Sequence, residues 1–204
     1  MRLVPLFLAF LLFGCISGEQ RAEENITGNE TVANQTQEFQ PPSIQWARYN
    51  SSYFSFEYPA YMEARGGAVD FIATKEVDGR ETETIIVAYL NTTAVYGKNR
   101  DKILKENPSQ AASELLYDDM EDDFAVILSD ADEIGNATTY AIARDGYVAE
   151  VPFTYTQDSS VYTGYALNVF IPERSVDAKI RIYTLDPDKA RAMRDQFLLS
   201  FRIE

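Results

Sequence analysis

The sequence contains no histidine, and its only cysteine is Cys15, close to the N-terminus. Histidine is the commonest general base and the commonest zinc ligand in proteins, so this chain has neither of these functional groups. Without a second cysteine, the remainder of the chain has no disulfide, no thiolate nucleophile and no CxxC metal site. We therefore expect the folded part to be stabilised by an ordinary hydrophobic core.

Basic residues are scarce as well, because 18 Lys and Arg stand against 32 Asp and Glu, for a net charge of −14. Nucleic-acid binding needs basic patches that neutralise phosphates, and peripheral binding to anionic lipid headgroups needs them too. We therefore expect no nucleic-acid partner. A negative surface instead suits cations or cationic partners.

Several catalytic motifs are also missing from the sequence. It contains no G-x-S-x-G elbow, no P-loop and no GxGxxG fingerprint, which leaves no recognised catalytic or nucleotide-binding site. These absences favour a non-enzymatic protein. One enzymatic alternative stays open, an extracytoplasmic hydrolase acting on envelope polysaccharide through two carboxylates, because sequence does not fix the separation of such a pair.

The first 14 residues have the features of a signal peptide. Arg2 precedes an apolar run from Leu3 to Phe13, which is long enough for a signal peptide but short of the roughly 20 residues of a membrane span. Gly14 and Cys15 complete the quartet LFGC, which resembles a lipobox of the looser, archaeal type. We expect cleavage after residue 14 and lipid on Cys15; an ordinary secretory signal with a coincidental cysteine is the alternative.

Residues 15–42 differ in composition from what precedes and follows them. They are rich in Glu, Gln, Asn and Thr and end in Pro41-Pro42, so they cannot bury enough apolar surface to offset the entropy of ordering. We expect a lipid-anchored, disordered tether whose reach is about 30 Å. The membrane is then a partner through the N-terminal anchor, and the protein lies on the extracytoplasmic face.

Asparagine occurs mainly in N-x-S/T sequons, since six of the nine asparagines begin one. Such sequons are acceptor sites for N-glycosylation on the surface of exported proteins. Together with the lipobox, they indicate a glycosylated surface protein, of an archaeon more readily than of a bacterium. The predicted glycosylation sites are Asn25, Asn29, Asn34, Asn50, Asn91 and Asn136.

The remaining residues, 43–204, predict a single α+β domain. Apolar or alternating runs joined by short turn signals such as Asp78-Gly79 and Asp158-Ser159-Ser160 predict an antiparallel meander. Asn107-Pro108 and Asp186-Pro187 predict the starts of two helices that pack on the sheet. In the second helix Lys189, Arg191 and Arg194 are expected to face water. The predicted strands are SYFSFEYP, VDFIATKEV, TETIIVAYLN, TTYAIARD, YVAEVPFTYTQ, YTGYALNVFIP and AKIRIYTL.

An acidic run follows the middle helix pattern and is the only metal candidate in the sequence. Carboxylates are mildly unfavourable at a helix C-terminus, and a violated local rule can mark a functional site. Oxygen-rich clusters suit calcium, while a solvated helix end is the simpler interpretation. The candidate ligands are Asp118, Asp119, Glu121, Asp122 and Asp123.

FSFEYPAYM near the start of the domain, a helix in mid-chain, long hairpins and the closing LLSFRIE resemble the PsbP-like superfamily. That group includes the extrinsic PsbP subunit of the oxygen-evolving photosystem and the nuclear Ran-release factor. The resemblance implies an α/β/α sandwich that binds or assembles with partners, and it supplies no catalytic residues. We therefore expect a non-enzymatic binding or assembly module of the envelope, with a hydrolase or a cation- or small-ligand-binding lipoprotein as alternatives.

Overall fold

The computed structural model describes residues 43–121, 131–142 and 146–204, with the backbone alone at 119–121. The helices in these ranges are α1 (Thr92–Glu106), α2 (Pro108–Glu121) and α3 (Pro187–Ser200), and a 3-10 turn spans Pro172–Arg174. The strands are β1 (Trp46–Asn50), β2 (Phe54–Pro59), β3 (Glu63–Gly66), β4 (Asp70–Val77), β5 (Arg80–Asn91), β6 (Glu133–Ile134), β7 (Thr138–Ile142), β8 (Gly146–Gln157), β9 (Ser160–Ile171), β10 (Val176–Thr184) and β11 (Arg202–Ile203).

Eight of these strands form one antiparallel sheet in the order β3-β4-β5-β10-β9-β8-β6, with β7 also paired to β8. A second, three-stranded sheet has the order β1-β2-β11. The predicted α+β class with an antiparallel sheet is confirmed. The meander is divided, because β5 pairs with β10 and not with the next strand in the chain. As a result β10 lies in the middle of the sheet, and all nine of its residues are buried.

Two hairpins are closed by the two-residue turns that the sequence predicts. Asp78 and Gly79 have φ values of 55° and 75°, and Asp158 and Ser159 have φ values of 49° and 65°. Positive φ at both central residues matches the right-handed twist of the flanking strands. The register of β8 against β9 continues unbroken from its turn, whereas that of β4 against β5 shifts between Lys75 and Glu76.

One face of the large sheet is covered by α3 and the three-stranded sheet, and we call it the α3 face. Its core contains a cluster of aromatic rings: the ring of Phe197 lies 4.8 Å from that of Phe56 and 5.2 Å from that of Phe201. Asp186 caps α3 by accepting from the backbone N–H groups of Asp188 and Lys189 at 3.0 and 3.3 Å. The predicted start of this helix is confirmed.

The opposite face, here called the α2 face, carries α1 and α2. Leu115 and Leu116 of α2 are buried among side chains of β8 and β9. Helix α2 begins at Pro108, as Asn107-Pro108 predicts. Each face of the sheet therefore has its own hydrophobic core.

The sequence patterns do not predict α1. Gly97 interrupts the helix with φ 78° and ψ 163°, and an internal glycine together with β-branched residues lowers helix propensity. The N-cap is Asn91, whose Oδ1 accepts from the N–H of Ala94 at 2.9 Å. The same Asn-Thr-Thr that forms a sequon thus also begins a helix.

Candidate functional site

Three adjoining clefts, with volumes of about 450, 360 and 360 Å³, lie along β3, β4 and β5. The first two share Arg65 and Ile72, and the second and third share Glu81. We call this continuous depression the β3–β5 groove. It runs from Ala88 to the gap between the tips of the β4–β5 and β8–β9 hairpins.

The groove is left open because α2 lies over the other part of the sheet, and α1 contacts the sheet mainly at β5, the innermost strand of the groove. In the described part of the chain the main sheet contacts of α2 are with β7, β8, β9 and β10, and those of α1 are with β5. Ile72 and Ile86, which project to this face from β4 and β5, remain only partly buried. The floor of the groove is therefore apolar and accessible.

The rim of the groove is strongly acidic. Among the residues that line it, six carry carboxylates and two carry guanidinium groups, so negative charge dominates. Asp70 also fixes the β3–β4 connection, because its Oδ1 accepts from the N–H of Gly67 at 2.9 Å. The acidic residues are Glu63, Asp70, Glu76, Asp78, Glu81 and Asp158, and the basic ones are Arg65 and Arg80.

Glu81 ties the groove to the sheet interior. Its Oε1 accepts from the hydroxyl of Tyr183 at 2.9 Å and from Thr84, and its main-chain oxygen accepts from Tyr162 at 2.6 Å. Burial, reinforced by the charge of Glu81, raises the pKa of Tyr183 well above its ordinary value. These tyrosines therefore stay protonated and act as fixed donors that hold one wall of the groove in place.

A second cluster of polar side chains lies on the α3 face around Glu83, which is only 3% exposed. Its Oε1 lies 3.0 Å from Nζ of Lys189 and 3.4 Å from Nζ of Lys75. Tyr61 donates to Oε2 at 2.5 Å, and Lys75 Nζ stands 4.8 Å from the centre of the Tyr61 ring. Burial and the hydrogen bond to Glu83 raise the pKa of Tyr61. The carboxylate is thus fully paired.

A third cluster surrounds Glu150, also on the α3 face. Nη1 of Arg194 lies 3.1 and 3.2 Å from its two carboxylate oxygens, and Tyr140 donates to Oε2 at 3.1 Å. Arg194 also stands 4.9 Å over the ring of Tyr165. Burial, followed by the charge of Glu150, raises the pKa of Tyr140 to about 12. This arrangement ties α3 to β7, β8 and β9.

These three clusters decide what the carboxylates can do chemically. Glu83 and Glu150 are bound by cations and tyrosines and do not line the groove. Glu81 lines the groove, but its carboxylate is engaged by two hydroxyl donors. In residues 43–118, 131–142 and 146–204, no three Asp or Glu side chains converge in a metal-binding arrangement. The groove is therefore equipped for binding through charge and apolar contact.

Lys189 and Arg194 are not the solvated residues that the sequence predicts. Both are held in ion pairs with buried carboxylates, because α3 lies directly on the sheet and its long basic side chains reach over the helix edge. Arg191 does face water, with a 60% exposed side chain. Glutamates inside otherwise apolar strand runs, TETII and VAEVP, were the available signal for these pairs.

The acidic run lies only partly within the described residues. Helix α2 ends at Glu121, and Asp118 in its last turn lies 3.9 Å from Arg100 on α1. Asp122 and Asp123, and the side chains of Asp119 and Glu121, lie outside the described set. Calcium binding by this run stays a prediction.

Three of the six predicted glycosylation sites fall in the described domain. Asn50, Asn91 and Asn136 are all exposed, and none of them lines the β3–β5 groove. Cys15 and the other three sequons, Asn25, Asn29 and Asn34, lie outside the described residues. Within the part of the chain that the structure covers, no helix is both long and apolar enough to cross a membrane.

Comparison with known proteins finds similarity only among solved structures, since no family model and no curated protein matches the chain. The Saccharomyces cerevisiae Ran-binding protein Mog1p superposes with a TM-score of 0.47 at 11% identity, over 79% of this chain and 96% of that one; a Mog1 point mutant gives the same values. LpqN, involved in cell envelope biogenesis of Mycobacterium tuberculosis, has a TM-score of 0.42 at 11% identity, over 78% and 91%. These are distant similarities of fold.

Proposed function

We propose that this protein is a non-enzymatic lipoprotein of the extracytoplasmic membrane face, and that its domain binds a partner of the cell envelope through the β3–β5 groove. The observation that carries the proposal is the groove itself, an apolar floor with a charged rim on a sheet face that the helices leave open. Exposed apolar surface bordered by charge is typical of an interaction site.

The state of the carboxylates supports binding over hydrolysis. A glycosidase needs two carboxyl groups that face each other across a substrate cleft, at roughly 5–9.5 Å. The two most deeply buried glutamates, Glu83 and Glu150, are instead neutralised by Lys75, Lys189 and Arg194 on the face that α3 covers. We therefore propose no catalytic residues for this domain.

The proposed location on the membrane is supported by the sequence alone. A lipid on Cys15 would retain the chain at the membrane, and residues 15–42 would carry the domain away from the surface. The exposure of Asn50, Asn91 and Asn136 supports glycosylation at these sites, since an acceptor asparagine must be accessible.

Fractionation tests the anchor. Wild type should sediment with membranes, and Cys15→Ser should be released into the soluble extracytoplasmic fraction after cleavage of the signal peptide. Equal membrane association of the two proteins, under conditions in which both are cleaved, would contradict the anchor.

Site-specific photocrosslinking in intact cells tests the groove. A benzophenone amino acid at Ile72, on the floor of the groove, should form a discrete crosslinked product with one envelope protein. The matched control is Leu199 on α3, an apolar residue that is 70% exposed on the other side of the sheet. Products of the same size and yield from both positions, or from neither, would contradict a binding function for the groove.

A further inference from the structure

We infer that the occupant of the β3–β5 groove is a basic, extended segment of a partner protein, which adds as a strand to the edge of β3. This inference rests on the proposed function and specifies the chemistry of the partner. Three features of the described residues lead to it: the charge of the rim, the position of β3 in the sheet, and the placement of two carboxylates at the two ends of that strand.

The charge of the rim selects a cationic partner. Six carboxylates against two guanidinium groups give the groove a net negative charge. Like charges placed across an interface weaken binding, whereas complementary charges guide association. An acidic segment or an anionic lipid surface is thereby disfavoured, and a segment carrying Lys or Arg is favoured.

The position of β3 provides the backbone contacts. This strand is at one end of the sheet order, and all four of its residues, Glu63–Gly66, are exposed. An edge strand with accessible backbone groups can pair with an extended segment, whose alternate side chains then enter neighbouring pockets. On the α2 face those side chains would lie beside Arg65 and the partly exposed Ile72, which together join two of the clefts.

Two carboxylates lie at the two ends of β3, one from β3 itself and one from the first residue of β4. Glu63 is the first residue of the strand, and Asp70 is hydrogen-bonded to the N–H of Gly67, just past its end. Both carboxylates line the clefts. Positions 63 and 67 are separated by about 13 Å in an extended chain, the separation of residues i and i+4 of an added strand, which project to the same face. The expected partner motif therefore has basic residues four positions apart, with an apolar residue midway between them on the same face, beside Ile72.

The predicted glycans leave this surface free. The three sequon asparagines of the described domain lie at the β1–β2 connection, at the N-cap of α1 and between β6 and β7, and none lines a cleft of the groove. A strand added at β3 therefore meets no predicted acceptor asparagine in the groove.

A palindromic peptide tests the inference, because it fits whether the added strand runs parallel or antiparallel to β3. The probe is fluorescently labelled Thr-Lys-Thr-Val-Thr-Lys-Thr, and its control is Thr-Glu-Thr-Val-Thr-Glu-Thr. Binding to the full-length protein in neutral detergent is followed by fluorescence anisotropy at low and high salt. We expect the lysine peptide to bind, the glutamate peptide not to bind, and affinity for the lysine peptide to fall at least about fivefold with added salt.

Two double variants with the same net charge locate the site. Glu63→Lys with Asp70→Asn should weaken binding of the lysine peptide at least about tenfold; Asn keeps the oxygen that accepts from Gly67. Glu173→Lys with Asp188→Asn changes two exposed acids outside the groove and should leave the affinity within about twofold of wild type. Hydrogen exchange should slow at the β3 amides when the peptide binds, because strand addition protects them.

The inference is overturned if the two peptides bind alike, if neither binds, if both double variants weaken binding equally, or if exchange in β3 is unchanged. Its failure is distinguishable from failure of the proposed function. If Ile72 forms its crosslink but the lysine peptide does not bind, the groove is still a binding site, and only the basic, strand-forming partner is ruled out. If neither the Ile72 crosslink nor binding of the lysine peptide is observed, the proposed binding function of the groove is contradicted as well.

Discussion

The two sides of the large sheet differ in how completely they are covered, although the same strands supply both. On the α3 face Phe71, Ala73, Ile85 and Val87 from β4 and β5 are at most 2% exposed. On the α2 face Ile72 and Ile86 of the same strands remain partly exposed and line the groove.

Side-chain hydrophobicity does not distinguish the buried core of this sheet from its open groove. Ile72 and Ile85 are identical in chemistry and lie on adjacent strands, one residue apart in register, since Ala73 is the cross-strand partner of Ile85. They differ only in which face of the sheet they occupy, because successive side chains in a strand point to opposite faces. The element that packs above each isoleucine decides its role.

The largest effect is expected at the centre of the α3 face. Phe197→Ala removes a fully buried ring that contacts Phe56 and Phe201, and should lower the free energy of unfolding by about 3–5 kcal/mol in urea denaturation. Leu199→Ala, on the same helix but 70% exposed, should change it by less than about 0.5 kcal/mol. Comparable losses in the two variants would mean that α3 is not packed as described.

The matched isoleucines test the comparison directly. Ile85→Ala should lower the unfolding free energy by about 2–4 kcal/mol, because Ile85 is 1% exposed and truncating its side chain leaves a cavity. Ile72→Ala should cost less than about 1 kcal/mol, because water and neighbouring atoms can fill the space at an open groove. Chemical denaturation of both variants measures the difference. A cost at Ile72 equal to that at Ile85 would show that the groove is closed in solution.

The ion pair beneath α3 is expected to contribute less than the core. Arg194→Met removes the cation beside Glu150 and leaves its hydrogen bond from Tyr140 in place. The unfolding free energy should fall by about 2 kcal/mol. The loss is smaller than for a fully buried ion pair, because the Arg194 side chain is 20% exposed. The control is Arg191→Met, whose pair with Asp188 is largely solvated; its effect should be below about 0.5 kcal/mol. Equal effects of the two substitutions would show that the Arg194–Glu150 pair contributes no more to stability than a solvated surface ion pair.

The smallest effect is a change in alkaline stability. The pKa of Tyr140 is about 12 in the folded protein and about 10 in an unfolded chain, so between these values the unfolded state loses the proton first. Stability from this group is complete below pH 10 and is lost as pH rises to 12. Tyr140→Phe should therefore lose stability less steeply than wild type from pH 10 to 12. Parallel pH profiles of unfolding free energy would contradict the raised pKa.

Much of the fold is predictable from local sequence signals. Alternating runs locate the long strands, Asp78-Gly79 and Asp158-Ser159 locate two turns, and Asp186 locates the start of α3. These signals act between residues a few positions apart. Helix α1 escapes prediction because Gly97 breaks its pattern and because Asn91-Thr92-Thr93 is also a sequon.

The candidate site is hardly predictable in the same way. The acidic run at 118–123 attracts attention by its composition, while the carboxylates of the groove, such as Glu63 and Asp70, are scattered along the chain and unremarkable one by one. Glu83 and Glu150 interrupt apolar strand patterns, yet nothing local identifies Lys189 and Arg194 as their partners, since these lie 106 and 44 positions away.

Local sequence signals are enough to predict the class of domain, the positions of its principal strands and turns, and the caps of two helices. Each of these depends on backbone preferences and side-chain types within a few residues. The folded structure adds that β5 pairs with β10, that α2 covers the sheet from β7 to β10, and that an acidic groove remains along β3 to β5. These features depend on contacts between segments far apart in the chain, and local propensity carries no information about which distant surfaces meet.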